Sequence, residues 1–145
     1  MNGNHKEKMP FSRLPNDVEP SHYEVFLKPN LLSLTFDGTL KVFLQVQKST
    51  DVVICNAADL QVTNVQINGQ NVTDVTLSKE NETLSVRLPA PLTEATQAIM
   101  TCAFKGELND KMRGFYRSKY TENGEERFAA VTQFEATDAR RCFPW

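Results

Sequence analysis

The chain has 145 residues, 40% of them apolar and 23% charged, and a formal net charge of −2. That is the composition of an ordinary soluble globular protein, long enough for one domain that buries roughly 68–70% of its unfolded surface. No broad basic field invites nucleic acid, and no apolar run approaches the roughly 20 residues needed to cross a bilayer, so neither is an expected partner.

The first residues, Met1-Asn-Gly-Asn-His-Lys-Glu-Lys8, lack the apolar stretch of a secretory signal. Residues 1–9 read as a short disordered lead, which leaves 10–145 for the domain. The three cysteines, Cys55, Cys102 and Cys142, are odd in number and widely spaced. They predict reduced thiols and a cytoplasmic protein. Two glycosylation sequons, Asn71-Val-Thr73 and Asn81-Glu-Thr83, carry no weight without a secretory signal.

From Pro10 to Pro20 the prolines prevent a helix and imply an extended segment. Ser21 to Lys28 then reads as a strand with Tyr23, Val25 and Leu27 on one face, closed by Pro29-Asn30. Asp37-Gly38 is a hairpin cue. After it Leu40, Val42, Leu44 and Val46 alternate with less apolar neighbours, the period of a half-buried strand. Asp51 to Cys55 is a short buried strand, and Asn56 to Leu60 a loop.

Gln61 to Ile67 alternates either through Val62 or through Val65 and Ile67. Asn68-Gly69 is the strongest hairpin turn in the chain, with Asn71 to Leu77 as its expected partner. Glu82 to Leu88 is a strand ended by Pro89-Ala-Pro91. Glu94 to Gln97 is compatible with a helix start, but the β-rich run Ala98 to Phe104 favours another strand. A polar loop follows from Lys105, and Gly114–Tyr120 and Glu126–Gln133 flank Asn123-Gly124 as a further hairpin. About eight to ten short strands with regularly recurring turns indicate one all-β domain, a sandwich or related layered sheet.

The chain carries only two histidines, His5 and His22. There is no H-E-x-x-H and no C-x-x-C, so no zinc site is expected within it. Nucleophile-elbow, P-loop and dinucleotide fingerprints are likewise absent. What remains is Gln133, Glu135, Asp138, Arg140 and Arg141, where the last strand fills with charge. One reading makes this a strand end and a helix start, with Asp138 as cap and the two arginines solvated. The other starts from alternation: Gln133 and Glu135, two apart on a strand, share a face. A carboxylate beside an amide suits a ligand with a cationic amine and a polar backbone, so the pair is read as an anchor and not as a catalytic group.

Two stretches carry a resemblance. Gly106-Glu-Leu-Asn-Asp-Lys-Met-Arg-Gly-Phe-Tyr-Arg-Ser-Lys-Tyr120 and Ala130-Val-Thr-Gln-Phe-Glu-Ala-Thr-Asp-Ala-Arg-Arg-Cys-Phe-Pro144 closely resemble the first domain of the gluzincin zinc aminopeptidases. Phe11 to Pro15, Tyr23 to Pro29 and Asn56 to Leu60 are similar too. The resemblance implies a saddle-like antiparallel β-sandwich leaning on a separate catalytic domain. It implies that Glu135 binds the free α-amine of a peptide substrate and that Gln133 lines the pocket for the first side chain. It also implies that zinc belongs to the full-length enzyme, because the zinc-binding motif, the exopeptidase motif and the proton-donating tyrosine lie in the catalytic domain. No cofactor is therefore expected in this chain, which reads as a fragment cut before that domain and inactive alone. The alternative is a stand-alone, non-catalytic β-sandwich that binds peptides or proteins.

Overall fold

In the computed structural model, residues 14–135 and 138–144 are described; the expected N-terminal lead lies outside them. Ten strands form: β1 (Val18–Asn30), β2 (Thr35–Val46), β3 (Thr50–Asn56), β4 (Leu60–Ile67), β5 (Gln70–Asn71), β6 (Val75–Ser78), β7 (Thr83–Leu92), β8 (Gln97–Glu107), β9 (Gly114–Glu122) and β10 (Glu125–Gln133). A single 3-10 turn follows at Asp138–Arg141. Every strand pairing is antiparallel. The strands make a five-stranded sheet ordered β1-β2-β8-β4-β5, a three-stranded sheet β3-β7-β6, and the ribbon β9-β10.

Alternation dictates how the two larger sheets meet. In β2, Leu40, Val42, Leu44 and Val46 are buried, as are Ala98, Met100, Cys102 and Phe104 in β8. They share one core with Val53 of β3 and with Leu84, Val86 and Leu88 of β7. This is the expected β-sandwich, held by apolar side chains from both inner faces. Leu108, Phe115, Cys142 and Phe143 join the same cluster, so both ends of the segment that contains the β9–β10 ribbon are tied to the core.

Several local predictions fail for identifiable reasons. Asp37-Gly38 is not a turn but lies inside β2. The reversal occurs earlier, where the Asn30 carboxamide oxygen accepts from the backbone N–H groups of Leu32 and Ser33 at 3.0 and 3.1 Å, an Asx turn that sets the chain direction. Gly38 is required for packing: a Cβ there would stand 2.3 Å from the Phe104 ring and 2.7 Å from the Phe26 carbonyl. Strand β1 runs through Pro20 and Pro29, which it tolerates because it is an edge strand. Strand β7 runs through Pro89 and Pro91 beyond its pairing with β6, opposite a register shift in β3.

The Asn68-Gly69 turn forms, with both residues at positive φ, as the right-handed strand twist prefers. Its partner is only Gln70–Asn71. After a break the chain resumes as β6 in the other sheet. Asn123-Gly124 closes β9–β10 with the same left-handed pair, at φ 51° and 78°.

Candidate functional site

Strand β10 ends at Gln133, which pairs with Gly114 at the start of β9. Phe134 turns inward and packs against the core, with its ring 6.2 Å from Phe143 in an edge-on arrangement. Gln133 and Glu135 on either side of it are both exposed. The pleat stops at Gln133, so alternation alone no longer dictates the face of Glu135, which sits in a turn. Both polar groups are presented outward around a half-buried aromatic anchor. Neither lines the apolar cavity of about 410 Å³ between the sheets, whose walls include Tyr23, Val42, Val53, Cys55 and Met100.

The residues after this rim are not a solvated helix start. Arg140 and Arg141 keep only 14% and 19% of their side-chain surface. Arg141 Nε donates to Asp138 Oδ1 at 3.0 Å, Nη2 donates to Glu82 Oε2 at 3.0 Å, and Nη1 donates to Asp59 Oδ2. Arg140 Nη1 lies 3.7 Å from the other oxygen of Glu82, while Arg140 Nε is buried and has no hydrogen-bond partner among the described residues. Asp138 therefore spends its carboxylate on a guanidinium instead of capping backbone N–H groups.

The electrostatics of this cluster differ from those of the ribbon. Lys119–Glu126 and Arg127–Glu122 are pairs of side chains at least half exposed, a kind worth about 0–1 kcal/mol each. At Arg141 burial works against the charge, yet the hydrogen bond it donates to Asp138 and the carboxylates of Glu82 and Asp59 outweigh it and hold its pKa above the ordinary value. Hydrogen bonds to charged groups contribute about 1.5–3 kcal/mol each. Arg141 is thus the best-held charge at this end of the domain.

Backbone contacts complete the corner. The Ala58 N–H donates to the Arg140 carbonyl at 2.9 Å, and the Asp138 N–H to the Phe134 carbonyl at 2.8 Å. Gly114, at φ +65°, fits under the 3-10 turn because it lacks a Cβ, which would stand 2.7 Å from Arg141 Cβ and 3.1 Å from the Asp138 carbonyl. Asp59 and Glu82 were invisible as partners in the sequence, where 82 and 59 positions separate them from Arg141. The only local signal was the Asn56–Leu60 loop, noted for its similarity and not for its charge.

Among the described residues no three His, Cys, Asp or Glu side chains are arranged to hold a metal ion. The nearest approach to an acidic cluster, Asp59, Glu82 and Asp138, is filled by a guanidinium. Among the described residues, too, no helix is long and apolar enough to cross a membrane.

Comparison with known proteins converges on one family. Residues 19–145 match the Peptidase M1 N-terminal domain. The chain is 43% identical to Aminopeptidase M1-C of Oryza sativa over 135 residues, which is 92% of this chain and 15% of that protein. It is 37% identical over 131 residues to Aminopeptidase 2 of Candida albicans, covering 90% of this chain and 14% of that one. It is also 37% identical over 148 residues to the puromycin-sensitive aminopeptidase of Caenorhabditis elegans, at 98% and 16% coverage. The chain thus spans only about one-seventh of the length of these relatives. Matched over nearly all of its sandwich, ribbon and rim, this chain belongs to the Peptidase M1 N-terminal domain family.

Proposed function

We propose that this chain is the substrate-anchoring domain of a cytoplasmic, zinc-dependent aminopeptidase that removes N-terminal residues from peptides, similar to the puromycin-sensitive enzyme. Glu135 receives the free α-ammonium of the substrate, and Gln133 lines the pocket for the first side chain. The observation that carries this reading is the exposed Gln133–Glu135 pair, set on a fixed strand end within a domain of the M1 family. An anionic group at a fixed place pairs strongly with an ammonium. It also measures distance: with the chain end held there, only the first peptide bond is placed for cleavage. The exposure of the pair supports a second wall supplied by a catalytic domain, which also provides the metal and its chemistry. This chain's own part is to bind and orient.

The test uses the aminopeptidase that carries this domain ahead of its catalytic domain. Glu135→Ala is expected to raise KM and lower kcat/KM by roughly 10- to 150-fold, the loss of one charge-assisted contact worth about 1.5–3 kcal/mol. Unchanged kinetics would remove Glu135 from the site. The reading frame beyond Trp145 provides a second check. Continuation into an H-E-x-x-H segment supports the anchoring role, whereas a stop codon there favours a stand-alone peptide- or protein-binding module.

A further inference from the structure

We infer that Arg141 is a positioning residue for the substrate-amine site, acting through a three-carboxylate clamp that fixes the Gln133–Glu135 rim. The inference rests on the anchoring role proposed for Glu135. It goes beyond that role by assigning to Asp59 and Glu82, from two separate loops, a part in setting where the anchor stands.

The geometry points this way from three sides. The guanidinium is gripped by Asp138 on its own turn, by Asp59 before β4 and by Glu82 before β7. All of its nitrogens are thereby used, and a planar fork held at three points has little freedom to rotate. Asp59 and Glu82 both adopt positive φ, 57° and 52°. Glu82 in particular is not a residue that adopts this conformation readily, so the loop is shaped at some cost around the carboxylate it presents.

Two rigid links then join the clamp to the rim. The Asp138 N–H is bonded to the Phe134 carbonyl, between the two anchor residues. Gly114, the pairing partner of Gln133, lies directly against Arg141 and Asp138. Slackening the guanidinium therefore loosens the Asp138–Phe134 bond beside Glu135 and the packing on Gly114 opposite Gln133. A purely structural arginine would affect stability alone; this one should affect how well the anchor reaches an amine.

Two readouts test it. In the 145-residue chain, Arg141→Lys and Glu82→Gln are compared by amide hydrogen exchange at Ala58, Asp138 and Cys142. Glu82→Gln alters one partly exposed carboxylate and so provides a variant that folds even if changes at Arg141 do not. Exchange is expected to quicken by roughly tenfold at these amides, a local opening, and to stay unchanged in the β2–β8 core. Unchanged exchange at all three overturns the clamp. In the complete aminopeptidase, Glu82→Gln should raise KM by roughly 3- to 10-fold with kcat nearly preserved, in the range shown by residues coupled through contact. In a Glu135→Ala background the same substitution should add almost nothing. Fully additive effects overturn the positioning role. If Glu135→Ala alone is silent while exchange still quickens, the amine-anchor reading falls and the clamp stands as a structural feature.

Discussion

Cys102 and Cys142 lie in the core, and loss of hydration pushes each thiol pKa up to about 12. Cys55 is pushed up to about 12 as well, by burial first and by the neighbouring Cys102 second. The thiolate is the reactive form, so the raised pKa lowers the reactivity of all three in the folded state. The sign of the pH dependence follows directly. An unfolded cysteine titrates near about 8.5, so above that pH the unfolded chain has lost protons that the folded chain retains. Stability from these thiols is complete below about pH 8.5 and declines as pH rises towards the folded value near 12. The Tyr23 hydroxyl, raised to about 12 by burial and then by Cys55, adds to the decline in the upper part of that window. Thermal midpoints should therefore hold steady from about pH 6 to 8 and fall beyond about pH 9, less steeply in Cys102→Ala. Iodoacetamide at pH 8 should leave the native thiols unmodified and label all three in denaturant; rapid native labelling of Cys102 or Cys142 contradicts their burial.

Strands β2 and β8 are locked by two reciprocal aromatic–glycine pairs, Phe36 opposite Gly106 and Gly38 opposite Phe104. Each ring lies over the glycine facing it, and the two rings meet edge-on at 6.4 Å. Gly38→Ala should destabilise the domain by about 1–3 kcal/mol, the usual cost of forcing extra volume into a packed core, because the Phe26 backbone as well as the Phe104 ring must move. A denaturation midpoint unchanged from the parent chain would show that the sheet absorbs the methyl group freely. The same glycine explains a limit of sequence reading. Asp-Gly is a turn signal by local chemistry, but a close ring across the sheet demands glycine just as strongly, and that ring is 66 positions away. The two phases visible in Gln61–Ile67 are both real: a bulge between Thr63 and Gln66 shifts burial from Leu60 to Val65 and Ile67. Strict alternation in β2 and the two Asn-Gly turns were legible because their causes are local. Proline-tolerant edges were not, since being at an edge is a property of the sheet. At the rim, charge and spacing left Gln133 and Glu135 open between a strand end and an anchor, and the burial of Arg140 and Arg141 depended on acidic residues from distant loops.

At the scale of the molecule, the two sheets share one core and the β9–β10 segment carries the proposed anchor at the end of its second strand. An isolated two-stranded ribbon is marginal in water; here its base is held by Phe115 on one side and by Phe143 and the Arg141 cluster on the other. The division of labour that follows is physical. Glu135, proposed to meet an ammonium, is exposed, while the carboxylates of Asp59, Glu82 and Asp138 are neutralised by Arg141. A divalent ion entering that cluster would have to displace a guanidinium already hydrogen-bonded at three points, and no histidine or thiolate is grouped there to reward the exchange. The 145-residue chain is therefore expected to bind zinc only substoichiometrically after dialysis and metal analysis, and to leave an aminoacyl-coumarin substrate uncleaved. Joined to a catalytic domain, the same substrate should be turned over in a chelator-sensitive manner. Stoichiometric zinc in the chain alone, or turnover by it that a chelator abolishes, would overturn the assignment of binding to this domain and of chemistry to another.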